Sequence, residues 1–498
     1  MADETLLSEK GEKRTTRRPT VTHFRVTRKV RIFALLISTV VFFYFFLQYY
    51  DPSPTRREAT RVNRVAAPKK VEQSFVTVNE SDSFLLFSSY FHYVSNDTIG
   101  FQAIGFSRCR SKNESWILHI GNEGFQMWPE FLQGECPDYM GCIWVDYRLK
   151  AFVPATVDLN QPVYVQINDT RVQVDITISN PHERTSGLEA CVVPLYYFNH
   201  WIRIIEFVEF YRMNGASHMY IYISSVSEVV NDLLKYYEKK GLVTTVLWPE
   251  LPRVDVMVDD RFRLGQYAAM LDCSLRSKAK FVATVDLDDW FFLNQTETDE
   301  NLLQMITRLS DEDPTIGSFA FHQLYAHQKP YSGDLNDWKQ IDFSGLEEAE
   351  MCDTCNPNTK AVHISDKIEF VGPHFVWTHR PLPDNKGTYW AKTLPATTGR
   401  AWHARYAMYQ GYDTKDLFEL RPFLPKSVAE GIKRNFTEIM EEFGTDHKNL
   451  SIADTAKTMQ ACNPFNGACM NPYLRCRDKM EHVDNWIFAD NTEQMLII

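Results

Sequence analysis

Between Phe281 and Asn294 the chain reads FVATVDLDDWFFLN. Three carboxylates, Asp286, Asp288 and Asp289, close an apolar, strand-like run, and Trp-Phe-Phe-Leu follows at once. Like charges held together repel one another and cost desolvation. A surface turn would carry them in water, but apolar runs on both sides put this backbone at the edge of a core. Carboxylates held there call for a cation, and hard oxygen donors suit Mn2+ or Mg2+. A D-x-D spacing is common by itself, so the elements around it decide whether it is a site.

Those elements alternate. EACVVPLYYF (189–198) reads as a buried strand, and NHWIRIIEFVEFYRMNG (199–215) as a helix with one apolar stripe and Gly215 as its stop. SHMYIYISS (217–225) is a second strand, and SEVVNDLLKYYEKKG (227–241) a helix capped by Ser227 and stopped at Gly241. LVTTVLWP (242–249) is a third strand, residues 259–280 a third helix, and FVATVDLDDW a fourth strand. The pattern predicts an α/β fold with a mostly parallel sheet and helices on both faces. Ligands of such sheets bind beyond the carboxyl ends of the strands, where the three acids stand.

The rest of the chain sets the context. Residues 1–31 carry nine Lys/Arg against four acids, which leaves the remainder of this −11 chain at −16. An acidic body argues against nucleic acid as a main partner. Residues 32–50, IFALLISTVVFFYFFLQYY, hold no charge, and a helix of that length spans ~28 Å of hydrocarbon. The basic flank keeps the N-terminus in the cytosol, so the expectation is a cytosolic tail (1–31) and a single type II anchor (32–50). A Pro- and Arg-rich stem follows (51–75), then a small β-rich luminal domain (76–185). All ten cysteines lie after the span, as do the N-glycosylation sequons at Asn79, Asn96, Asn113, Asn168, Asn435 and Asn449; that at Asn294 adjoins the acids and is expected to stay unused. Cys352-x-x-Cys355 reads as a redox or zinc motif or as structural bridging, and a lumen favours bridging. Most cysteines are expected to be paired, including some of those in the Cys-containing extension (461–498).

Taken together, CVVPLYYFNHWIRIIEFVEFYRMNGASHMYIY (191–222), QYAAMLDC (266–273), ATVDLDDWFF (283–292), KIEFVGPHFV (367–376) and WHARY (402–406) resemble glycosyltransferase family 92. The resemblance implies a GT-A-type, Rossmann-like nucleotide-sugar domain, 186–460, in a Golgi type II membrane protein. It also implies metal-dependent, inverting transfer of a hexose from a UDP-sugar. The best-known activity of that family is β-1,4 transfer of galactose from UDP-galactose to the core fucose of N-glycans. Homodimerisation is possible.

The resemblance also implies roles. Asp288, the last acid of D-x-D, is the metal ligand, Asp286 the nucleotide contact, and Asp289 a supporting or sugar contact where relatives carry Glu. A distal metal ligand is His374 or His403. Arg405 and Arg261 are candidate diphosphate contacts, and the nucleobase rests near Pro194 to Asn199. Inversion needs a general base. Glu347, Glu348, Glu350, Asp353, Asp366 and Glu369 qualify, with Asp366 and Glu369 leading because they adjoin KIEFVGPHFV. Two rival readings stand beside this one: a metal-dependent luminal hydrolase, which would normally show more His and Asp ligands around a two-metal site, and a non-catalytic glycan-binding or scaffold protein that keeps the fold and disulfides without needing Asp288.

Overall fold

The computed structural model describes residues 84–107, 114–132, 144–180, 183–248, 251, 262–293, 300–331, 337–354, 358–384, 386–406 and 418–444, with short pieces between 452 and 497. All of them fall in one compact unit, Thr60–Ile498. The tail, the anchor expected at 32–50 and the stem lie outside the described residues, among which no helix is long and apolar enough to cross a membrane.

The first part is β, as its alternating sequence requires. The strands are β1 (Phe84–Ser95), β2 (Thr98–Ser107), β3 (Trp116–Ile120), β4 (Glu123–Gln126), β5 (Trp128–Phe131), β6 (Val145–Pro154), β7 (Val163–Ile167), β8 (Thr170–Gln173) and β9 (Thr177–Ser179). They form an antiparallel sheet in the order β1–β2–β6–β5, with β9 beside β1, and a second sheet β4–β3–β7–β8. Period-two burial is clean in β7, where Val163, Val165 and Ile167 turn inward. These strands share one apolar core with the residues that follow. The Trp248 ring packs edge-on to Phe87, Phe106 and Tyr222, and the Tyr90 hydroxyl donates to the buried Asp272 at 2.5 Å.

The second part alternates. It runs β10 (Thr185–Leu195), α1 (Trp201–Met213), β11 (Ala216–Ile223), β12 (Ser225–Ser227), α2 (Glu228–Lys239), β13 (Val243–Leu247), α3 (Gln266–Arg276), β14 (Ala279–Val285) and β15 (Asp289–Leu293). Then come α4 (Leu302–Glu312), β16 (Ile316–Gln328), α5 (Ser344–Glu347), β17 (Glu348–Cys352), β18 (Thr359–Ile364), β19 (Ile368–Val371), β20 (Val376–His379), β21 (Trp390–Thr393), β22 (Gly399–Tyr406), β23 (Glu419–Pro422) and α6 (Lys426–Phe443). β10 pairs in parallel with β11 on one side and β14 on the other, and β13 extends the β11 side. Strand order therefore reverses between β10 and β14. Beyond β14 the sheet is mixed: β18 runs antiparallel to both β14 and β16, whereas β21 and β22 pair with β16 in parallel. The expectation of a mostly parallel sheet holds for the run β10, β11, β13 and β14.

One face of this sheet carries α1, α2, α4 and α6. The other carries α3 and the N-terminal strands, so the second face is covered largely by β structure rather than by helices. α1 is buried all round, not along one stripe, because α6 lies on its outer side with Trp201 and Phe436 stacked 5.8 Å apart. Its buried Glu209 is met by Arg212, Tyr237 and Asn435. The sequon residue Asn435 lies within α6, half-buried, its amide donating to Glu209 at 2.8 Å. Asn96 and Asn168 sit exposed in hairpin turns, whereas Asn79, Asn113 and Asn449 lie outside the described residues. A disulfide joins Cys191 of β10 to Cys273 of α3, and Cys352 is also disulfide-bonded.

Candidate functional site

The apolar run at 281–285 forms β14, but the fourth strand does not continue through the acids. It breaks into a turn at Asp286–Asp288, closed by the Asp289 N–H donating to the Asp286 carbonyl at 3.0 Å. Asp289 then opens β15, which pairs with β22 so that Asp289 lies opposite His403. The turn faces a seam in the sheet. β18 runs beside the first half of β16, up to His322, and β22 runs beside the second half from Gln323. Lys360, from the start of β18, and His403, from β22, meet the acids there.

Asp289 is the buried centre of the cluster. Its Oδ1 accepts from Gln323 Nε2 at 2.7 Å and from His403 Nδ1 at 2.9 Å. Its Oδ2 accepts from the Asp286 N–H at 2.9 Å and meets the Lys360 ammonium at 2.6 Å. Four donors occupy a carboxylate's four acceptor positions, so Asp289 has none left for a ligand. Burial opposes its ionisation, yet Lys360 and His403 hold its carboxyl well below the usual range. Lys360 is 1% exposed and also reaches Asp286 Oδ2 at 2.9 Å. Burial alone would lower its ammonium, but Asp286 and Asp289 hold it above its ordinary value.

The outer groups remain open. Asp286 and Asp288 are 30% and 29% exposed in their side chains. Asp288 stands 3.5 Å from His403 Nδ1 and 3.7 Å from Arg405 Nε, at ion-pair range without a close hydrogen bond. Burial raises the Asp286 carboxyl against the pull of Lys360. Burial likewise opposes charge on His403, but Asp288 and Asp289 hold its imidazole above its ordinary value. One ligand atom from each of Asp286, Asp288, Asp289 and His403 lies within 4.8 Å of the others. With Asp289 saturated, the set that fits a divalent cation is two half-open carboxylates and an imidazole, donors suited to Mn2+. Asp289 orients that imidazole through Nδ1, as a carboxylate behind a ligating histidine does.

The sequence pattern of glycosyltransferase family 92 matches residues 186–460, more than half of the chain. The chain belongs to glycosyltransferase family 92. Among its relatives in Caenorhabditis elegans, the glycosyltransferase family 92 protein F13G3.3 is 30% identical over 28% of this chain and 29% of its own length. The β-1,4-galactosyltransferase galt-1 is 28% identical over 38% of this chain and 48% of its own length. These matches span less than half of either relative. Solved structures are far more distant. Mycobacterium tuberculosis glucosyl-3-phosphoglycerate synthase covers 53% of this chain and 83% of its own at 10% identity and a TM-score of 0.23. S. aureus TarS 1–349, solved with UDP-GlcNAc, covers 59% of this chain and 88% of its own at 11% identity and the same TM-score of 0.23. Likeness at that level carries nothing about this chain.

Within this family 92 chain, the structure brings together Asp286, Asp288, Asp289, His403 and Arg405. His374 stands beside them, its carbonyl accepting from Thr359 Oγ1 at 2.5 Å, but it is not one of the four clustered residues. Two leading candidates for the base are corrected. Asp366 ion-pairs with Arg184 at 3.0 Å in the turn after β18, beside the start of β14. The acids follow the end of β14, ~20 Å away for a strand of this length. Glu369 pairs with Arg148 and Lys150 of β6. Both carboxylates hold the two halves of the molecule together. Asn199 is likewise taken, donating to Thr455 and Asp484. Arg261 lies outside the described residues.

Of the remaining acids, register favours Glu350. Arg405 of β22 pairs with His327 of β16, and His327 with Glu350 of β17. Register partners share a sheet face, so Glu350 is exposed on the face of Arg405 two strands away, about 10 Å. Asp353 is held by Arg421, and Glu347 by Lys433. Sequence reasoning missed Lys360 and Gln323. For Lys360 a signal existed: a lysine inside the buried strand TKAVHI requires an acid partner.

Proposed function

We propose that this chain is a metal-dependent, inverting hexosyltransferase that moves galactose from UDP-galactose, in β-1,4 linkage, onto the core fucose of N-glycans. The observation that carries the reading is the Asp286–Asp288–His403 constellation beyond the carboxyl end of β14, beside the reversal of strand order at β10. Family membership supports the transferase class, and the name of the relative galt-1 supports the donor and the linkage.

A divalent cation held there would supply Lewis-acid stabilisation of a departing diphosphate. Asp288 and His403 would hold it, Asp286 faces the nucleotide, and Arg405 steadies a phosphate. Asp289 and Lys360 act behind them, fixing the turn and the His403 ring. Glu350 takes the proton of the acceptor hydroxyl. The enzyme is proposed to sit in the Golgi membrane on the single type II anchor at 32–50. The basic flank supports that orientation, and the buried Cys191–Cys273 disulfide supports an oxidising lumen.

One observation favours a second reading. Lys360 already neutralises much of the charge on Asp286 and Asp289, so the acids do not need a metal to stay folded. A non-catalytic glycan-binding protein could keep this arrangement. Incubating the purified chain with a panel of UDP-sugars, Mn2+ and a core-fucosylated N-glycan separates the two. Galactose transfer that chelator stops supports the enzyme. Transfer of another sugar replaces the donor and keeps the class. Glycan binding with neither nucleotide affinity nor turnover selects the second reading.

A further inference from the structure

We propose that Phe375 and Trp377 form a stacking platform for a pyranose ring of the acceptor, a subsite that rests on the transferase reading for its purpose but not for its binding. Large apolar side chains here are mostly buried. Phe375 is instead 51% exposed and Trp377 40% exposed. They lie two residues apart at the head of β20, and their rings are nearly parallel, 6.0 Å between centroids and 16° between planes. Together they present an exposed apolar patch, and such a patch on a folded domain marks a binding site more often than an accident.

The surface is held rigidly from behind. Trp377 meets Tyr267 of α3 and Phe370 of β19 edge-on, each at 5.7 Å. Its indole also lies against Gly372, where a Cβ would collide with Nε1. An exposed apolar ring face matches one side of a pyranose, which offers a patch of C–H bonds edged by hydroxyls.

Its place in the fold selects the acceptor over the donor. Phe375 follows His374, whose carbonyl is bonded to Thr359, and the next residue, Lys360, sits between Asp286 and Asp289. The platform is thus on the β18 side of the acids. The crevice made by the reversal of strand order lies on their other side, between β10 and β14, and there a nucleotide would rest.

The test measures binding of a core-fucosylated N-glycan and, separately, of UDP with Mn2+ to the purified full chain in detergent. Phe375 is half exposed, so Phe375→Ala is expected to keep the fold, and a thermal melt verifies it. Expected is at least a tenfold loss of glycan affinity in Phe375→Ala and Trp377→Ala. Trp377→Phe should recover to within about threefold of wild type, and UDP affinity should stay within twofold throughout. Unchanged glycan affinity in Phe375→Ala overturns the platform, as does loss of UDP affinity in that variant, or a wild-type chain that binds no glycan. Wild-type glycan binding that these variants abolish, with no sugar transferred from any donor, sinks the transferase reading and leaves the platform standing.

Discussion

At the residue scale the acids divide by burial. Asp288 is open and bonded to no donor at close range, whereas Asp289 is buried and bonded to four. An unbroken strand would turn Asp289 to the opposite face and make it the lesser residue, but the break at 286–288 makes it the centre. Asp288→Asn should leave the melting temperature within a degree or two and lower transfer by ~10²-fold or more. Asp289→Asn should lower stability by about 3–5 kcal/mol, the usual cost of stripping one partner from a buried ion pair. Denaturant titration of both variants verifies the contrast, and equal stabilities would refute it. Lys360→Met removes the built-in cation and leaves Asp286 and Asp289 facing each other. It should destabilise the metal-free chain, and Mn2+ should raise its melting temperature more than it raises that of wild type. A Mn2+ shift no larger than wild type's would mean that Lys360 and the metal do not share these carboxylates.

At the element scale, what the sequence revealed was what local chemistry dictates. Ser227 caps α2, its hydroxyl accepting from the Val230 N–H, and Gly215 and Gly241 stop their helices with φ of +90° and +71°. Gly215 also abuts α4, where a Cβ would stand 2.7 Å from Leu303 Cβ. Gly215→Ala therefore meets both strain and collision, and it should cost about 1–3 kcal/mol, read as a drop in melting temperature. Gly241→Ala, with the same handedness but open space around it, should cost less. The failures were non-local. The third helix begins at Gln266 rather than 259, after left-handed Arg263, Leu264 and Gly265, which no propensity foretells. The acids were legible because three charges interrupt an apolar run. Lys360 and Gln323 were not placed, because their partners lie 74 and 34 residues away and only strand pairing brings them together. Asp366 and Glu369 were chosen for closeness in sequence, and β18 carries them to the far end of the sheet.

At the scale of the molecule, buried neutral histidines link stability to pH. His363 is fully buried on β18, with Nε2 3.1 Å from Ser274 Oγ of α3, and burial pushes its imidazole down to about 3. His92, on β1 beside Arg380 and Arg148, is also lowered by burial. A histidine whose folded value lies below its unfolded ~6.5 binds fewer protons folded than unfolded. Its contribution is complete above about pH 6.5 and is lost as pH falls from there toward 3. Each such group removes ~1.4 kcal/mol per pH unit in that window. His403 acts oppositely, because its value is raised: its contribution is complete below about pH 6.5 and fades above. Asp286, also raised, offsets part of the loss only near and below its own value. In chelator, stability to urea should therefore fall between pH 6.5 and 5.5 by about 1–3 kcal/mol. His363→Gln keeps a partner for Ser274 but cannot take up the proton; with His92 and His200 also lowered by burial, it should flatten that fall by about a third. A wild-type stability that is level or rising toward pH 5.5, or a His363→Gln profile parallel to wild type's, would mean that proton uptake at these buried histidines does not set the acid limit of the fold.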